Sequence, residues 1–205
     1  MIDFELSDEQ KQFQSLARQF VKDVIIPEAA RARAAAFLIT ASESAGLHLS
    51  RLQARAGDFD PMMRDRLLAG TMIPSPWVSH AQRFRRWYQH ELLALFEKVD
   101  LIITPATPTV APAIGQSTVM LNGVSVPVRQ AIGLYTQPIS LAGFPAMTVP
   151  YWSARTDHSQ AALTSAGSLP IGVQLIAAPW SESLLVRAAL HLEQAGICQA
   201  RAPQN

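Results

Sequence analysis

Apolar side chains recur along this chain with two different periods, every three to four positions through the first hundred residues and in short continuous runs through the second hundred. Ser7 and Gln10 form a capping-box pair, and Phe13, Leu16, Phe20 and Val24 follow at helical spacing. They predict an amphipathic helix from Asp8 to Ile26 stopped by Pro27. From Ala32 the register changes, and Leu38, Ala41, Ala45, Leu49 and Leu52 outline a second helix whose alanine-rich face suits close packing. Asp60-Pro61 supplies an N-cap and a pre-set first residue for a short helix that Gly70 can end, and Ser75-Pro76 repeats the device. The helix after it carries Ala81, Phe84, Tyr88, Leu92 and Leu95 on one face and reaches Lys98.

Val99 to Thr104 is a continuous apolar run ended by proline, the pattern of a strand buried on both faces. The proline-rich stretch Thr104 to Pro112 fits a rigid loop. Val119 to Val128, with Asn122-Gly123 at its centre, reads as a hairpin. Ala146 to Val149 and Gly172 to Ala177 are two further short buried strands, and the small polar residues of Ser153 to Ser168 make an exposed connection between them. Ser181 caps a last helix with Leu184, Leu185, Ala188 and Leu192 facing inward. Strands interleaved with helices define an α/β fold, helices packed on a mixed β-sheet.

Composition sharpens this picture. Hydrophobic residues are 49% of the 205 and charged residues only 16%, against roughly 25% charged in an ordinary soluble domain. Part of the surface is therefore expected to be covered by another polypeptide or by a second copy through an exposed sheet edge. A net charge of +1 without a basic stripe argues against nucleic acid as a partner. No apolar run approaches the roughly 20 residues that span a bilayer. The single cysteine, Cys198, and the acidic opening MIDFELSDEQ point to a cytoplasmic protein without an internal disulfide. His48, His80, His90, His158 and His191 show no metal-ligand spacing, so no metal and no cofactor are expected. Cys198 lacks the basic neighbourhood a thiolate needs, and Ser42 and Ser44, inside a helix, have no free N–H groups near them.

The runs LIITPATPTVAPAIG (101–115), LYTQPISLAGFPAMTVP (134–150) and LPIGVQLIAAPW (169–180) resemble the C-terminal half of the amidase signature hydrolases. The resemblance extends from about Arg33 to Leu192. AAFLITASESAGLHL, FRRWY and TQPIS are most similar to the biuret and 1-carboxybiuret amidohydrolase branch, which cleaves small, flat, urea-like amides. It implies a partial amidase signature fold with an extra N-terminal helix and a Ser, cis-Ser, Lys mechanism. The nucleophile and base have no counterparts here: there is no Ser-Ser or Gly-Gly dipeptide, and the lysines are Lys11, Lys22 and Lys98. The expectation is a truncated amidase, inactive alone, contributing no catalytic residue. A separate resemblance links DFELSDEQKQFQSLARQFVKDVIIPEAA to the first helix of acyl-CoA dehydrogenases, which suggests a boundary between residues 1–30 and 31–205.

The chain is similar over the same span to the glutamine-hydrolysing polypeptides of the tRNA-linked amidotransferases, and the resemblance implies substrate-binding positions. Arg66 falls where those polypeptides place an arginine that grips a substrate carboxylate, a task suited to a permanently charged, two-pronged donor. Tyr135, Thr136 and Gln137, read as a loop between strands, could turn hydroxyl and amide groups toward a small amide substrate. Gly133 stands where the amidotransferases carry an aspartate for the amino group of glutamine, which disfavours a glutaminase. Gly143 and Pro145 are expected to shape a turn. Two other readings are a non-catalytic subunit that docks on a chain carrying the catalytic half, and an acyl-CoA dehydrogenase remnant.

Overall fold

The computed structural model describes residues 26–152 and 169–199. The expected helix 8–26 and the connection 153–168 lie outside them. Two compact units meet in the sequence between Phe84 and Arg85.

The first unit is helical: α1 (Ile26–Arg55), a short 3₁₀ turn (Ala56–Asp58), α2 (Pro61–Thr71) and the opening of α3 (Ser75–Leu95). Pro27 lies in the first turn of α1, where an N–H is not needed. The buried stripe of α1 is Ala32, Ala35, Ile39, Ala41, Ala45 and Leu52. Leu38 is half-buried and Leu49 exposed, contrary to expectation. Small residues occupy the buried face because α2 comes very close: a Cβ added at Gly70 would overlap the Ala41 carbonyl and lie 2.9 Å from the Ala45 side chain. Gly70 therefore sits inside α2 as a packing residue, and the helix continues through Thr71 to a C-cap at Met72. Its start is as expected, with the Asp60 carboxylate accepting from the N–H groups of Met62 at 3.0 Å and Met63 at 3.2 Å.

The second unit holds a three-stranded sheet of β1 (Leu101–Pro105), β4 (Ala146–Tyr151) and β5 (Ile171–Ala177), with β5 in the middle. Both pairings are antiparallel, as is the separate hairpin of β2 (Thr118–Leu121) and β3 (Val124–Pro127), so no parallel pair occurs among the described strands. Asn122 and Gly123 both take positive φ, 49° and 79°, as a primed turn requires. Among the described strands β1 lies at the edge, and it is not the doubly covered strand expected: Leu101 packs against the core, while Ile103 on the same face is 58% exposed. The doubly buried strand is β5. Two short helices, α4 (Val128–Ile132) and α5 (Gln137–Ala142), precede β4. The last, α6 (Glu182–Gln194), lays Leu185, Ala188 and Leu192 on Val149, Leu175 and Ala177. Ser181 holds its N-cap position without a side-chain capping bond.

Candidate substrate-side site

β5 carries one polar side chain into the interior. Gln174 pairs with Thr104 of β1 across the sheet and is 3% exposed. Its Nε2 donates to Thr104 Oγ1 at 2.8 Å and to the Tyr135 carbonyl at 3.1 Å, with a longer contact to the Pro105 carbonyl at 3.4 Å. Carbonyl oxygens only accept, so the amide orientation follows from its partners. An interior amide thus ties the segment after α4 to the sheet. Its signal in the sequence was a lone glutamine inside the apolar run GVQLIA.

That segment does not run between strands, as the sequence suggested. Residues 133–136 form a turn between α4 and α5, Thr136 is the N-cap of α5, and Gln137 with Pro138 opens the helix. The Leu134 N–H donates to the Ala131 carbonyl at 3.0 Å and the Gln137 N–H to the Gly133 carbonyl at 3.1 Å. Tyr135 and Gln137 are exposed and Thr136 is half-buried. The Thr136 side chain makes no capping bond, and among the described residues the Tyr135 side chain has no hydrogen-bond partner. A Cβ at Gly133 would come within 2.9 Å of the Gln137 side chain, which fills that space. The other end of α5 is held too: Arg85, from the FRRWY run, donates Nε to the Leu141 carbonyl at 2.8 Å, a cation on the last carbonyls of a helix. Gly143, in the left-handed region at φ 75°, then turns the chain toward β4.

Arg66 belongs to α2, in the first unit. Its guanidinium stacks 5.2 Å above the Phe37 ring and donates to Thr40 Oγ1 at 3.4 Å. Among the described residues it pairs with no carboxylate, so most of its donors are uncommitted. No group of three His, Cys, Asp or Glu residues among the described residues could hold a metal. Burial among apolar side chains pushes the Cys198 thiol up from its ordinary value, and its backbone bridges Tyr151. A neutral, packed thiol is no nucleophile. Two open concavities, of about 420 Å³ beside Phe144, Pro145 and Trp180 and about 290 Å³ beside Met147 and Leu190, are lined by neither Arg66 nor Tyr135–Gln137.

Comparison with known proteins decides the family. A match to the family described as Amidase covers residues 9–186. The chain belongs to the amidase family. It is 47% identical over 178 residues to AtzE, a 1-carboxybiuret hydrolase subunit of Pseudomonas sp. strain ADP, covering 87% of this chain and 37% of that one. A solved chain from a vestigial protein complex, described as revealing the evolutionary origins of an s-triazine catabolic enzyme, superposes with a TM-score of 0.76 at 46% identity, covering 86% of this chain and 36% of that one. A crystal structure of an amidase at 21% identity superposes with a TM-score of 0.71, covering 90% and 42%, and shares the fold. The chain thus spans little more than a third of the length of the amidase-family protein it matches at 47% identity.

Proposed function

We propose that this chain forms the substrate-side portion of a small-amide hydrolase of the 1-carboxybiuret type. In the first unit Arg66 is the residue suited to a substrate carboxylate, and in the second Tyr135, Thr136 and Gln137 are those suited to a small flat amide. The Ser, cis-Ser and Lys come from sequence beyond these 205 residues. The observation that carries the reading is the 47% identity to a 1-carboxybiuret hydrolase subunit over nearly the whole chain. The uncommitted donors of Arg66 and the unengaged Tyr135 side chain support it, as does Gly133, which leaves no carboxylate for a glutamine amino group and gives its space to Gln137. The protein works in the cytoplasm, and no described helix is long and apolar enough to cross a membrane.

The test is ammonia release from biuret and 1-carboxybiuret. The purified chain is expected to give none above the uncatalysed rate, because removing a whole triad eliminates nearly all of the acceleration. Adding the preceding part of the Pseudomonas relative should restore it, and Arg66→Ala should then raise KM at least tenfold for the carboxylated substrate and leave biuret nearly unaffected. Ammonia release by the chain alone that survives Arg66→Ala would sink the proposal.

A second reading, a non-catalytic subunit docking on a separate catalytic chain, is favoured by one observation: a structural relative comes from a protein complex. Co-purification of a catalytic partner from the native host, with no activity gained on adding the relative's preceding part, would select it. The boundary at residue 30 and the dehydrogenase-like helix rank below both, since the family match starts at residue 9. Deleting residues 1–30 tests them: unchanged stability would keep them, and unfolding of the rest would dismiss them.

A further inference from the structure

We propose that Gln174 is the positioning residue of this site, the tether that fixes the Tyr135–Gln137 wall to the sheet. This rests on the reading of those residues as a substrate wall. Segment 133–136 is a turn between two short helices, with Gln137 opening the second. Its neighbours α4 and α5 are five and six residues long, too short to be stable by themselves, and Tyr135 and Gln137 are exposed. The sheet reaches this turn through a buried donor, the Gln174 Nε2–H given to the Tyr135 carbonyl at 3.1 Å from the middle strand.

Packing alone does not call for an amide at this position. Its Nε2 donates to Thr104 Oγ1 and to the Tyr135 carbonyl. Burying an amide costs more than burying an apolar side chain of equal volume unless its hydrogen bonds offset the desolvation. What the glutamine provides, and an apolar residue could not, is a directed donor that reaches from β5 to a backbone carbonyl on the turn. A main-chain carbonyl held in this way fixes the φ and ψ of the residues on either side of it, and so the directions of the Tyr135 and Thr136 side chains. Arg85 does the same at the far end of α5, on the Leu141 carbonyl. The segment is thus pinned at both ends, and Gln174 is the pin next to the residues that meet substrate.

The experiment is hydrogen–deuterium exchange on the purified chain, comparing Gln174→Met, which keeps length and volume and removes the donor, with Thr104→Val, which removes the bond to Thr104 Oγ1 and keeps the one to Tyr135. Gln174→Met should speed exchange of the Leu134 and Gln137 amides roughly tenfold, the worth of one buried hydrogen bond, with β4, β5 and α6 unchanged. Thr104→Val should leave residues 133–137 as they are. Acceleration spread evenly over the sheet, or none at all, would overturn the proposal by showing a plain core residue. If Gln174→Met does not fold, Gln174→Asn, one methylene too short to reach Tyr135, is judged on the same amides. In the reconstituted hydrolase the Met variant should raise KM several-fold at nearly unchanged kcat; a loss in kcat alone would contradict positioning. If the reconstituted wild type releases no ammonia, the hydrolase reading fails, and the exchange pattern still decides whether Gln174 holds the turn.

Discussion

The two units are held together by opposite means. Residues 26–84 pack helix on helix through small side chains, Ala41 and Ala45 of α1 against Gly70 of α2, so that backbone nearly touches backbone. Residues 85–199 pack a sheet against a helix through large ones, with Leu175 and Ile176 of β5 among the most deeply buried side chains. The first arrangement has no volume to spare, and the second depends on the volume it encloses. Enlarging a side chain should therefore be penalised in the first unit, and shrinking one in the second.

The largest effect is expected at Leu175, which is 0% exposed at the centre of the middle strand. Leu175→Ala removes buried methyl groups where β4 and α6 close over the strand and should cost about 2–5 kcal/mol in urea denaturation. A loss under 1 kcal/mol would mean the sheet unit tolerates lost volume and the contrast is false. Next is Gly70→Ala. In an open helix this change would stabilise by roughly 1 kcal/mol. Here the added methyl meets the backbone carbonyl of Ala41, which cannot rotate away as a flexible side chain would, and a net loss of about 1–3 kcal/mol is expected. A gain would show that α1 and α2 can separate without penalty.

The same contrast explains what the sequence revealed. Asp60-Pro61 and the Asn122-Gly123 turn were legible because each is decided within four residues by capping or by the sign of φ, whereas Ser75, expected to cap a helix, lies inside it. Thr136-Gln137-Pro138 offered the same helix-opening cue as Asp60-Pro61; read as a loop, it hid that the candidate residues sit at a helix start. The buried face of α1, the interior place of Gly70 and the edge position of β1 depend on neighbours remote in sequence. The continuous run Val99 to Thr104 is compatible with an edge or a central strand, since apolar period alone does not fix strand order. Gln174 was missed for a related reason: its partners Thr104 and Tyr135 stand 70 and 39 positions away. Arg66 and Tyr135–Gln137 are candidates through family resemblance, and their chemistry is local enough to state from the residues themselves.

A smaller test separates local from tertiary stability within the helical unit. Asp60→Ala removes the carboxylate that accepts from Met62 and Met63 and should cost about 1 kcal/mol. Asp60→Asn and Asp60→Ser, which keep an acceptor, should recover most of it. Because the cap lies ten residues from Gly70, its effect should add to that of Gly70→Ala in the double variant. Strong non-additivity would mean that α2 shifts bodily on α1, and the close approach at Gly70 would then be adjustable.

The smallest effect lies in the sheet unit and appears only at alkaline pH. Cys198 is buried beside Val149 and Leu185, and desolvation raises its thiol pKa above the ordinary value. The unfolded chain, with its thiol in water, therefore ionises at a lower pH than the folded one. Below the ordinary thiol pKa both states hold the proton, and the thiol adds no pH dependence. As pH rises through that value the unfolded state loses its proton first and is favoured, so stability falls until the folded thiol titrates as well. Cys198→Ala removes this component. The variant should be less stable near neutral pH, where it lacks the packed sulfur, and should lose less stability than the parent as the pH is raised above the thiol range. Urea midpoints measured at several alkaline pH values on both proteins decide it. Parallel curves would mean that the thiol ionises as freely in the folded chain as in water, and that the packing of α6 on β4 does not exclude solvent from Cys198.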